Sequence, residues 1–269
     1  MNTNRSSYPL GAVLGSAIVL AFCAPAMAAD IYDGGLKGGY EVAAPPDDRG
    51  IYIKGYVGQA NPNVGGMSNE LYDIRGISAR DHEIKSSPLF GIGVGWQARH
   101  WLRFDGTIEY RGDATFLGSD ISTFPGANEY TADVKSWLGL ANAYIDMGNW
   151  CGFTPYIGAG IGFATISVEG LRDDGLTVSG ASIAYGGDKT STNFAYAFYA
   201  GTSFDVTPQV SLDLTYRWAN LGSAASGPVL TYDGGDGYSG QHLKDITSND
   251  VMLGFRYKLQ REAAVSPIK

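Results

Sequence analysis

The chain has 269 residues, enough for one or two domains. Its 19 Lys+Arg against 27 Asp+Glu give a net charge of -8, which argues against a nucleic-acid partner, and 12% aromatic residues exclude long disorder. Two cysteines exclude a disulfide-stapled scaffold, while 38 glycines beside 17 tyrosines suit a β-rich chain.

In chain order, residues 1–9 are polar with one positive charge, Arg5, and an apolar stretch fills residues 10–22. Ala26-Met27-Ala28 follows, completing the pattern of a secretory signal peptide cleaved after Ala28, with Ala26 and Ala28 as the small residues of the cleavage site. The apolar stretch is shorter than the ~20 residues a membrane-spanning helix needs. A lipoprotein signal would need a small residue before Cys23, where Phe22 stands. Cleavage leaves Cys151 as the one thiol, within Gly148-Asn149-Trp150-Cys151-Gly152, so no internal disulfide is expected and a free turn thiol is the plain reading. Residues 29–50 carry Gly34-Gly35, Gly38-Gly39, Pro45-Pro46 and Asp47-Asp48, the composition of a flexible linker.

From Ile51 onwards period two dominates. Ile51, Ile53 and Val57 oppose Tyr52, Lys54 and Tyr56; Phe90, Ile92, Val94 and Trp96 oppose Gly91, Gly93, Gly95 and Gln97. Leu102, Phe104, Ile108 and Tyr110 alternate with Arg103, Asp105, Glu109 and Arg111. Helical spacing would spread those charges around a cylinder, whereas alternation puts them on one side. Residues 134–146 admit either parity; Trp137, Ala141, Ala143 and Ile145 are placed outward, because the other choice sends Asn142 and Asp146 out. Ile157, Ala159, Ile161 and Phe163 oppose a glycine run, and Phe194, Tyr196, Phe198 and Phe204 continue the pattern. Val210, Leu212, Leu214, Tyr216 and Trp218 alternate with Ser211, Asp213, Thr215 and Arg217. Val251, Leu253, Phe255, Tyr257 and Leu259 alternate with Met252, Gly254, Arg256 and Lys258. About eight strands result.

The connections alternate in length. Short ones fall at residues 98–100, 147–152 and 207–208, and long ones at about 60–88, 112–133, 169–191 and 222–247. Short periplasmic turns against four long extracellular loops mark an all-β, eight-stranded antiparallel up-and-down transmembrane β-barrel. Trp96, Trp101, Trp137, Trp150 and Trp218 fall near strand ends or in a turn, as an interfacial aromatic girdle requires. A soluble β-sandwich also alternates, but it would leave Gly91, Gly93, Gly95 and Gly158, Gly160, Gly162 as bare backbone facing water. In a small barrel they face a crowded lumen, where small residues must alternate with large. Because lipid forbids open sheet edges, the chain must close on itself.

The layout resembles the small outer-membrane β-barrel proteins of alphaproteobacteria, of the porin-opacity type. The resemblance rests on Ala26-Met27-Ala28-Ala29-Asp30 and the Pro-containing linker, and on Ile51-Tyr52-Ile53-Lys54-Gly55-Tyr56-Val57-Gly58 as first strand. It continues through Leu140-Ala141-Asn142-Ala143-Tyr144-Ile145-Asp146 and Pro155-Tyr156-Ile157-Gly158-Ala159-Gly160-Ile161-Gly162. It ends in Gly254-Phe255-Arg256-Tyr257-Lys258-Leu259, similar to the terminal signal that barrel-assembly machinery reads, with Gly254, Phe255, Tyr257 and Leu259 as its elements. The implied organisation is a signal peptide (1–28), a linker (29–50), an outer-membrane barrel (51–259) and a periplasmic tail (260–269).

An eight-stranded barrel is just wide enough for side chains to fill. By this parity its lumen holds Lys54, Arg103, Arg111, Arg217, Arg256 and Lys258 against Asp105, Glu109, Asp146, Asp205 and Asp213. A nearly balanced set reads as a mutually paired plug rather than the single-sign ring of a selective pore. Resemblance supplies two enzymatic precedents among barrels, a lipid A deacylase with a His-x-Ser pair and the omptin proteases. His82, His100 and His242 are followed two residues on by Ile84, Leu102 and Lys244, so the first pattern is absent. Asp81-His82 and Asp173-Asp174 offer only fragments of the second. Asp233-Gly234-Gly235-Asp236-Gly237 lacks the alternating ligands of a calcium loop, so no metal or cofactor is expected. The preferred reading is a non-catalytic envelope component that contacts outer-membrane lipid and lipopolysaccharide. Its loops, with Tyr72, Tyr130, Tyr185, Tyr232 and Tyr238, would bind an extracellular protein or glycan; the alternative is a porin-like channel.

Overall fold

The computed structural model describes residues 49–72, 76–122, 126–177, 180–234 and 237–259. The signal peptide, its cleavage site at Ala26 and Ala28, most of the linker and the tail lie outside the described residues. The strands are β1 (Gly50–Ser68), β2 (Ile77–Ile84), β3 (Ser87–Arg99), β4 (Leu102–Ser122), β5 (Gly126–Asp146) and β6 (Phe153–Thr177). They continue as β7 (Gly180–Gly186), β8 (Lys189–Asp205), β9 (Val210–Ala225), β10 (Val229–Thr231), β11 (Gly237–Tyr238) and β12 (His242–Lys258). Eight of them, β1, β3, β4, β5, β6, β8, β9 and β12, pair antiparallel in that order, and β12 returns to pair with β1. The ring is closed, so no backbone edge faces lipid. The other four belong to the extracellular end: β2 pairs with β4, and β7, β10 and β11 extend the sheet from β6.

Interior glycines make room for interior tyrosines. Tyr52 lies opposite Gly95 and Tyr56 opposite Gly91 in the β1–β3 ladder, and Tyr144 lies opposite Gly158 between β5 and β6. A Cβ at any of these glycines would run into the facing ring. The glycine runs are therefore the sockets of the aromatic lumen, which explains their strict alternation with outward Ile, Val and Phe.

The long connections differ from the loops expected. Much of residues 60–68, 112–122, 126–133 and 169–177 is strand, so the barrel wall runs on beyond the membrane. At ~3.3 Å per residue and ~40° tilt, the 25 residues of β6 rise about 60 Å, against a ~25 Å apolar band. Two effects hide these extensions in the sequence. A bulge between Arg111 and Ala114 reverses the parity of β4. Above it the solvent on the outer face is water, so polar Thr115 and Ser119 point outward while Ala114, Phe116 and Asp120 are buried inside. The lower half of the barrel is apolar outside and charged inside; the upper half has its own internal core, including Phe116, Leu138, Ile166, Val168, Leu243 and Ile246.

Candidate functional site

Three layers fill the interior. The lowest is ionic. Lys54 Nζ lies 2.7 Å from Asp105 Oδ2, whose other oxygen accepts from Asn142 at 2.8 Å. Arg103 donates to Asp146 from Nη2 at 2.7 Å and Nε at 3.0 Å, and its guanidinium stacks over Tyr156. Arg256 lies 2.9 Å from Asp213, which also accepts from Ser203 at 2.6 Å.

Above them Glu109, Arg111, Arg217 and Asp250 form a fully buried square. Arg217 reaches Glu109 and Asp250, each at 2.7 Å, and Arg111 reaches the same two acids at 2.9 and 2.8 Å. Ser248 donates to the remaining Asp250 oxygen. Two arginines shared by two carboxylates satisfy several donors at once, the geometry that makes a buried charge tolerable.

The sequence parity places nine of its eleven lumen charges in these pairs. Asp205 does not join them: it is exposed at the turn-side rim, where it accepts from Ser211. Lys258 is half-buried at the same rim, opposite Tyr52. Both have the inward parity but stand where the lumen opens to water. Asp250, central to the square, was missed although it shares the parity of Met252 and Arg256; it lies just before the apolar run that marked the strand.

Two small cavities lie inside, among the described residues. Lys54, Arg103, Tyr144, Tyr199, Asp213 and Arg217 help to line a cavity of about 30 Å³, enough for a water or two. The second layer is the apolar core of the upper barrel, whose cavity of about 20 Å³ is lined by residues including Ala60, Ile84, Ile166, Leu221 and Ile246.

The third layer, near the extracellular end, is acidic and aromatic. Tyr130 Oη donates to Asp120 at 2.6 Å, Asn128 donates to the other Asp120 oxygen at 2.9 Å, and Tyr238 Oη donates to Asp173 at 3.2 Å. Of the tyrosines assigned to ligand-binding loops, Tyr130 and Tyr238 are thus buried, because strand extension turns them inward, and Tyr72 is half-buried. Tyr185 and Tyr232 are exposed.

The residues of the enzymatic alternatives are dispersed. His100 lies at a periplasmic turn, while His82 is on β2 and His242 starts β12. Asp173 faces inward, whereas Asp174 is bonded to the exposed Arg172. Among the described residues no group of three or more His, Cys, Asp or Glu could hold a metal.

The outer face carries the tryptophans. Trp96 packs on Phe104 with centroids 6.3 Å apart, and Trp101 and Trp150 lie near the same, turn-side end. Trp137 against Tyr110 (5.0 Å) and Trp218 against Phe198 (6.0 Å) stand farther up. Trp137 is nine residues above Asp146, a rise of about 23 Å, close to the height of an outer-membrane apolar band. In the last strand Phe255 and Tyr257, and just beyond its end Leu259, are exposed on this face, and Gly254 lies inward opposite Tyr56.

A closed ring of eight strands, apolar outside and ionically filled within, defines a small outer-membrane β-barrel. The chain belongs to the outer membrane protein beta-barrel domain family, whose model matches residues 14–258. It is 30% identical over 256 residues to an uncharacterized protein of Brucella suis, covering 82% of this chain and 89% of that one. Similarity to the outer membrane protein PagN of Salmonella typhimurium is 28% over 221 residues (77% and 89%). A Rickettsia conorii protein named "Putative adhesin" shares 28% over 208 residues (73% and 80%). Among solved structures, OprG of Pseudomonas aeruginosa aligns with a TM-score of 0.52 at 12% identity, over 80% of this chain and 98% of that one. The protein is therefore a surface-exposed component of a Gram-negative outer membrane, in contact with its lipid and lipopolysaccharide.

Proposed function

We propose that this barrel is a non-catalytic anchor whose extracellular extension binds a protein or glycan at the cell surface, in the manner of an adhesin. The observation that carries this reading is an apolar sheet face held in water. Leu176 (64% exposed), Ile183, Tyr185, Leu230 and Tyr232 (83% exposed) lie together on β6, β7, β10 and the turn after it, beside the Arg172–Asp174 ion pair. Leu176 stands eleven residues beyond Thr165, the cross-strand partner of Trp137, so this face projects more than ~25 Å past the upper tryptophans. Contiguous exposed apolar and aromatic residues mark interaction surfaces. The name of the Rickettsia conorii relative agrees with this role. Replacing Leu230 and Tyr232 with serine should remove most adhesion of cells displaying the chain to protein- or glycan-coated surfaces, without loss of folded barrel. Unchanged adhesion would overturn the proposal.

The paired charges act in this reading as a structural plug. An ionic layer without a single-sign ring, topped by an apolar core, gives a hydrated ion no continuous path. The mature chain, shown to be inserted in a planar bilayer, should give no steady conductance steps; ion-dependent steps would make a channel the better function. The remaining assignments follow the same logic: residues 1–28 direct export, Trp96, Trp101, Trp137, Trp150 and Trp218 mark the two membrane interfaces, and Gly254, Phe255, Tyr257 and Leu259 present the strand to the assembly machinery.

A further inference from the structure

The ionic layers of the barrel match acid to base one for one; the extracellular layer does not. Asp120 is 0% exposed and Asp173 is 9% exposed, and among the described residues no Lys, Arg or His bonds to either. Asp173 Oδ1 is buried with no hydrogen-bond partner. The Tyr72 hydroxyl lies beside Asp120 and Gln241 without a bond of ordinary geometry, and the Nε2 of the buried Gln241 is also unpartnered. Two ionised carboxylates confined in such a layer repel each other and lose their hydration, and taking up one proton relieves both costs.

We propose that Asp120 and Asp173 form a proton-binding pair that latches the extracellular sheet, closed when Asp173 is protonated and loosened when it ionises. The titratable groups facing Asp173 are Asp120 from β4, Tyr130 from β5, Tyr238 from β11 and Tyr72 from the turn after β1. On its own strand Arg172 and Asp174 turn to the opposite face and pair with each other; its β7 neighbour is Ala184. Burial, then the charges of Asp120 and Asp174, push the Asp173 carboxyl up to about 6 against the opposing Tyr238 hydrogen bond. A carboxyl raised in the folded state stabilises that state in acid, and its contribution is lost as pH rises through the folded value. The latch closes the inner face of the β6–β7 segment whose outer face carries Leu176 and Ile183, but it operates whether or not that face binds a ligand.

The test is amide hydrogen exchange of the full barrel in lipid nanodiscs, with rates corrected for intrinsic pH dependence. Protection of residues 171–176 and 181–186 should fall about tenfold between pH 5 and pH 7.5, the ratio that a carboxyl moved from its ordinary value of 3.8 to about 6 imposes. Asp173→Asn should abolish that dependence and keep the segment protected at pH 7.5. Asp120→Asn should move the midpoint to lower pH, which tests the pair even where Asp173→Asn fails to fold. Protection that is independent of pH, or a pH dependence retained in Asp173→Asn, would overturn the proposal. Restoration at pH 7.5 by millimolar Ca²⁺ or Mg²⁺ would also overturn it, in favour of a metal held by the same carboxylates.

Discussion

Arg217→Met should destabilise the barrel by about 3–5 kcal/mol, the usual cost of breaking a buried ion pair by removing one partner. Methionine keeps most of the side-chain volume, so the effect isolates charge from packing. Arg217 is 1% exposed and bonded to both Glu109 and Asp250. Its loss leaves two carboxylates facing Arg111 alone. Adding Asp250→Asn should recover part of the loss, because one acid then faces one base. Asp205→Asn, at the wet rim, should change stability by no more than ~0.5 kcal/mol. Urea unfolding of the lipid-inserted barrel, followed by the differing gel migration of folded and boiled protein, measures all three. Equal effects of Arg217→Met and Asp205→Asn would refute the structural role given to the square.

Ile92→Arg should cost about 2–4 kcal/mol, the range for a cation at the lipid-facing midplane of an outer-membrane barrel. Ile92 is 66% exposed, between Ile108 on β4 and Gly55 on β1, and four residues above Trp96. Ile121→Arg is the matched control. Ile121 is also exposed, but on β4, beyond the bulge, in the part of that strand that faces water. Its substitution should be nearly neutral. The same unfolding series distinguishes them, and similar losses at both positions would contradict the assignment of lipid to the lower wall and water to the upper.

The outward row from Ile51 to Val57 and the Arg103–Asp105–Glu109–Arg111 row were legible because lipid imposes one rule on every outer position. Where that rule stops, legibility stops with it. In β4 beyond Arg111 the outer face becomes polar and a bulge shifts the phase, so a continuous strand looks like a loop. Tyr130 and Tyr238 illustrate the consequence: set among Gly, Asn, Ser and Asp, they have loop composition, yet strand pairing turns them into the interior beside Asp120 and Asp173. Asp250 was readable from its parity alone, but its importance was not, because the two arginines it binds come from β4 and β9.

The sequence by itself determined the barrel, its eight membrane strands, their inward and outward faces and the inward placing of the glycine runs. Each follows from a period-two pattern between neighbours in the chain and from the demand of lipid for a closed, apolar wall. Tertiary structure alone decided which tyrosine fills which glycine socket, which charges meet, that Asp205 and Lys258 remain at the rim, and that Asp120 and Asp173 lie without a base among the described residues. Apart from Glu109 and Arg111, the paired charges lie tens to more than a hundred residues apart, and the register of the closed ring, not local spacing, brings them together.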